Sequence, residues 1–195
     1  MFGGSMAVSS TARWGWRVGA GCALLLGLVF AAQCAQGTIY LSKQEAMETA
    51  FGRGAVLGTE QYFLTNEQVT DIERIAQTQL ESKLFTFFTG QRNGQLLGYA
   101  AIETHTVRTK PETLLVVLSP TGELQRMVVL AFHEPPEYQP PERWYSLLLR
   151  RKPDQLVAGR AVQAISGATL SSQAALTSAR LTLAVFQVAV QGGSH

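Results

Sequence analysis

The chain has 195 residues, 16 of them basic and 14 acidic, for a formal net charge of +2, and 46% of its residues are hydrophobic. Both cysteines, Cys22 and Cys34, and two arginines, Arg13 and Arg17, fall in the first 37 positions, so the remainder is cysteine-free with 14 residues of each charge. From residue 38 onward this excludes disulfides, thiolate metal sites, iron–sulfur clusters and c-type haem attachment, and no basic patch points to nucleic acid as a partner.

Residues 1–37 read as a signal peptide. Arg13 and Arg17 supply a positive start, and Val18 to Ala32 is an unbroken apolar run. That run is short for a membrane span, which needs about 20 residues, but suits the core of a secretory signal. Ala35-Gln36-Gly37 offers the small residues a signal peptidase reads, so cleavage is expected before Thr38, with Ala32-Gln33-Cys34 as a second site. Gln33 directly before Cys34 speaks against a lipoprotein box, and an uncleaved N-terminal anchor is the alternative.

Residues 38–83 are expected to form a helical and extended segment that packs on the domain. Ser42-Lys43-Gln44-Glu45 is a capping box opening a helix with Ala46, Met47, Ala50 and Phe51 on one face, and Gly52 and Gly54 end it. A short strand is expected over 56–64. Thr65-Asn66-Glu67-Gln68 opens a second helix with Val69, Ile72, Ala76 and Leu80 inward.

The middle of the chain reads as an antiparallel sheet of about four strands, giving an α+β fold class. Runs 84–89 and 96–107 flank Asn93-Gly94, a strong hairpin signal, and runs 113–118 and 124–132 flank Ser119-Pro120-Thr121-Gly122. Leu114 to Leu118 is continuously apolar, which places it at the sheet centre with both faces covered. A proline-rich loop over 134–141, a short helix near 143–150 and a strand over 160–165 follow. Residues 171–190 contain neither Gly nor Pro and carry Leu176, Leu183, Phe186 and Val190 at helical spacing. Ser171 or Ser172 is the expected cap of this final helix, with Gly167 to Leu170 as its approach. Residues 192–195 form a flexible tail that includes His195.

Just before that helix stands Ser166-Gly167-Ala168-Thr169-Leu170-Ser171-Ser172. A helix N-terminus offers free N–H groups and the positive end of the dipole, a setting that suits a phosphate. Gly167 and Ala168 add little bulk beside the Thr169 hydroxyl. Taken alone, the same residues also describe an ordinary turn before a helix. The order resembles the SGAT-type attachment motif of the FMN-binding domain family, which includes subunits of Rnf-type and sodium-pumping respiratory complexes. The strands, connecting helix, turn and last helix resemble that family's domain over 84–191. The resemblance implies FMN as cofactor, esterified through its phosphate to Thr169 by a separate flavin transferase, with Ser166, Gly167, Ala168 and Leu170 around the attachment point. Covalently loaded members carry an acid three positions before the motif, whereas this chain has Gln163, so non-covalent FMN stays open.

The segment Phe132-His133-Glu134-Pro135 also resembles a family segment near the flavin, which makes His133 and Glu134 candidates for the ring or the ribityl chain; a solvated strand end is the equal alternative. Tyr138 and Trp144 offer stacking surfaces or plain packing, and Arg108 or Lys110 offers charge for the phosphate or edge-strand solvation. Three scattered histidines give no case for zinc, and Ala164-Ile165-Ser166-Gly167-Ala168 is not a hydrolase elbow. With no catalytic array beside it, the resemblance implies an exported electron carrier, periplasmic or on the outer face of the cytoplasmic membrane, working with membrane or periplasmic redox partners. A binding or sensory domain with reversible FMN and a structural protein without cofactor are the alternatives.

Overall fold

The computed structural model describes residues 38–157, 163 and 165–193. The expected signal peptide, His195 and most of the expected 160–165 strand lie outside the described residues.

The fold is α+β. One fully antiparallel sheet contains β1 (Thr38–Ile39), β2 (Val56–Phe63), β3 (Leu84–Arg92), β4 (Gln95–Thr106), β5 (Pro111–Leu118) and β6 (Leu124–Phe132), in the order β1-β6-β5-β4-β3-β2. The four expected strands are its four central ones. The other two come from the segment before residue 84: β1 pairs with the end of β6, and β2, which falls on the strand expected over 56–64, pairs with β3 from Leu84 to Gln91. Residues 38–83 therefore supply both sheet edges as well as two helices, and they share one fold with the rest.

Helix α1 (Lys43–Phe51) starts at the Ser42 capping box and stops at Gly52, whose φ of +77° suits glycine. Helix α2 (Asn66–Ala76) starts at a second capping box on Thr65 and ends at Gln77, before Leu80 is reached. Helix α3 (Glu142–Tyr145) is a single turn that tightens into a 3₁₀ turn at Ser146–Leu148, shorter than the expected 143–150 helix. The two described positions of the expected strand before the motif, Gln163 and Ile165, are not in a strand.

Strand β5 is covered on both faces. Leu114, Val116 and Leu118 pack with α2 and the last helix, while Leu115 and Val117 pack with Ala46, Met47 and Phe51 of α1. Each such side chain contributes about 1.5–3 kcal/mol by leaving water.

The last helix, α4 (Thr169–Val185), widens into a π-helical turn over Phe186–Gln191. By length and composition, Thr169–Gln191 could cross a membrane, but most of it is buried on the sheet. The Phe186 ring occupies the space beside Gly122 that a Cβ there would take, and it meets Phe87 and Tyr99 edge to face. Ser171 and Ser172 do not cap this helix. It begins two residues earlier, its cap position is Ala168, and no side chain closes it. Both serines are buried in the first turn, where their hydroxyls have other partners. Ser171 Oγ donates to Tyr138 O at 2.6 Å and Ser172 Oγ to Ala168 O at 2.8 Å.

Phe87 is fully buried and touches the rings of Tyr62, Phe85, Tyr99 and Phe186. Replacing it with alanine is expected to cost about 3–5 kcal/mol. Urea unfolding should show a lower midpoint with an unchanged slope.

Candidate functional site

The motif folds as a tight turn around one carbonyl. Ile165 O accepts the Ala168 N–H at 3.0 Å and the Thr169 hydroxyl at 3.2 Å. Gly167 takes a φ of +85°, and a side chain there would meet nothing within 4 Å, so the turn faces open space. Ala168 is buried and anchors the turn, whereas Thr169 and Leu170 are exposed on the first turn of α4. The first intrahelical bond is Ser172 N–H to Ala168 O at 2.9 Å. The N–H groups of Thr169, Leu170 and Ser171 precede it and have no helical carbonyl to bind.

The turn between β4 and β5 faces this helix end. Glu134 Oε1 accepts the N–H of Arg108 at 3.3 Å, of Thr109 at 2.7 Å and of Lys110 at 2.9 Å, together with the Thr109 hydroxyl at 3.3 Å. Those bonds, with the Thr109 N–H foremost, hold its carboxyl below the usual carboxylate range. The clamped turn presents Arg108, whose guanidinium stacks 4.8 Å from the Tyr138 ring centre. Tyr138 is tied to α4 in turn through its carbonyl and Ser171.

Val107, Arg108, Tyr138 and residues 167–171 enclose a cleft of about 250 Å³. The cleft is thus lined by the first turn of a helix on one side and by Arg108 on the other, groups that favour negative charge. The volume falls below the roughly 300–1,000 Å³ of pockets that enclose a whole small molecule.

Of the residues singled out in the sequence, Gly167, Ala168, Thr169 and Leu170 line this cleft, and Ser166 is exposed outside its lining. His133 and Glu134 do not line it. Glu134 orders the opposite turn, while the His133 main chain donates to Pro111 O at 3.1 Å. Trp144 is buried, and its Nε1 donates to Gln163 O at 2.9 Å, so it serves packing and fixes the chain before the motif. Arg108 and Tyr138, weaker candidates in the sequence, line the cleft together with Thr169.

A second polar group was not foreseen. The β4–β5 register sets Glu103 opposite Leu114 and His105 opposite Glu112, on the sheet face that carries α4. The sequence signal was polar residues at alternate positions on an otherwise inward face. Compared with models of protein families, with curated proteins and with solved structures, the chain gives no match.

Burial pushes the Glu112 carboxyl up to about 7, although the Tyr145 hydroxyl donates to it at 3.3 Å. Burial, with some help from Glu81, takes Glu103 to about 7 as well. Both groups keep their protons in the folded chain to higher pH than in the unfolded one, where 4.5 is the reference value. Their stabilising effect is complete below pH 4.5 and is lost as pH rises through about 7. The melting temperature should therefore fall between pH 5 and 8, and Glu112→Gln should flatten that fall.

Proposed function

We propose that this chain is an exported electron-transfer protein that carries FMN, with the cofactor phosphate at the N-terminus of α4 and esterified to Thr169. The observation that carries the reading is the exposed Thr169 hydroxyl, flanked by unbonded helix N–H groups and faced by Arg108 across a cleft of phosphate size. Bound FMN supplies reversible acceptance of one or two electrons. The protein's part is to bind and hold. The helix end and Arg108 neutralise the phosphate, the Tyr138 ring keeps the guanidinium in place, and the open side at Gly167 leaves room for a flavin transferase. Export rests on the character of residues 1–37, and the redox partners belong to the periplasm or the membrane.

Gln163 favours a second reading in which FMN is bound without a covalent bond, as in a binding or sensory domain. It is exposed at the position where covalently loaded members of the family carry an acid.

Co-expression of the full chain with a flavin transferase decides between the two. The covalent reading expects intact mass to rise by one FMN ester, with yellow-green fluorescence surviving denaturing electrophoresis, and Thr169→Ala to abolish both. Bound FMN that is released on denaturation supports the second reading, and a colourless protein that does not bind added FMN removes both. Arg108→Ala should weaken non-covalent FMN binding by roughly 10- to 100-fold, as expected for loss of a charge-assisted hydrogen bond.

A further inference from the structure

Strands β3 and β4 leave their hairpin turn as a closed pair, but their ladder stops at Phe88 and Ala100. Beyond that point Leu84–Phe87 pair only with β2, and Ala101–Thr106 pair only with β5. The two strands part, and a slot of about 500 Å³ opens at the gap. Phe85, Ile102 and Leu181 give it apolar walls. Glu103 and His105 project from β4 into its lining, and His105 Nε2 is buried without a hydrogen-bond partner among the described residues. Glu103 Oε2 lies 4.0 Å from that nitrogen, too far for a hydrogen bond.

A buried ring nitrogen with no partner costs stability, and a ligand that bonds to it removes the cost. The character of that ligand follows from the lining. Lys43 is the one cation among the lining residues, its ammonium 4.5 Å from the Phe88 ring centre, against the two acids Glu81 and Glu103, so the slot is poorly suited to an anion. Burial disfavours the charged forms of both Glu103 and His105. A neutral carboxyl donates one hydrogen bond, and a neutral imidazole has one donor and one acceptor. At Phe88 and Ala100 the strands are still paired, so the slot tapers to strand spacing at that end, and its volume is that of a small-molecule site.

We propose that this slot binds a neutral planar ring bearing carbonyl oxygens, with His105 and Glu103 as its hydrogen-bonding partners. Quinone headgroups and the ring system of a flavin share that chemistry. The slot reaches α4 at Thr177, eight residues beyond Thr169 and about 12 Å along the helix at 1.5 Å per residue. A ring tethered at Thr169 and a free ring are the two sources. The inference stands apart from esterification of Thr169, because a ring without phosphate tests it.

The experiment titrates the flavin-free full chain with lumiflavin, followed by fluorescence quenching, and with a water-soluble naphthoquinone, followed by calorimetry. At least one probe should bind, and His105→Phe should weaken it by about tenfold, the scale of one lost hydrogen bond. His105→Gln, which keeps a donor and an acceptor, should recover most of the affinity. Leu181→Trp should block the slot; thermal melts identify any variant that fails to fold. Binding by neither probe, or binding indifferent to both His105→Phe and Leu181→Trp in folded protein, overturns the proposal. Repeating the titration on protein loaded with FMN at Thr169 separates the sources. Lost probe binding assigns the slot to the tethered ring, and retained binding assigns it to a free one. Should Thr169 resist loading, the first titration still decides whether the slot binds a ring.

Discussion

From Leu114 to its end, strand β5 has no solvent face. From Leu114 to Leu118 every side chain is buried, alternately toward α1 and toward α4. A strand covered on both sides obliges the chain to provide a helix for each, and the arrangement of the molecule answers that requirement. Helix α1 is delivered early, between two strands that end up at opposite edges of the sheet. Helix α4 arrives last and closes the other face. Because α4 lies along the sheet with its first turn beside the β4–β5 connection, packing in the core brings Thr169 and Arg108 to the same cleft.

The cleft then depends on local order more than on the core. Three successive main-chain N–H groups that would otherwise need water converge on one oxygen of Glu134. The carboxylate thereby sets the path of the turn that bears Arg108, without facing the cleft. Tyr138 links the two sides: its ring supports the guanidinium and its carbonyl takes the Ser171 hydroxyl. Thus Glu134 shapes the cleft without lining it, while Tyr138 and Ser171 both line it and hold its two sides together.

Much of the framework was legible in the sequence because its signals are local. The capping boxes at Ser42 and Thr65, the Asn93-Gly94 hairpin and the apolar run of β5 each rest on a few neighbouring residues, and each appears as read. The sheet edges were harder. The eight residues of β2 are mostly exposed and lack clean alternation, so nothing in them announces β3 as partner. The start of α4 was misplaced because Ser171 and Ser172 resemble caps, whereas their hydroxyls serve the buried side of the first turn. The roles of His133 and Glu134 follow from which main-chain groups lie opposite them, a long-range fact. The motif itself was visible, but Arg108, about sixty positions earlier in the chain, is brought to it only by the sheet.

The hydrogen bond from Thr169 to Ile165 O has one further consequence. A threonine hydroxyl owns a single proton, and any ester made on that oxygen removes it. The modified oxygen can only accept, so Ile165 O would keep the Ala168 N–H and lose its second donor. Loading would therefore loosen the turn on one side while an anion stiffens the helix end on the other.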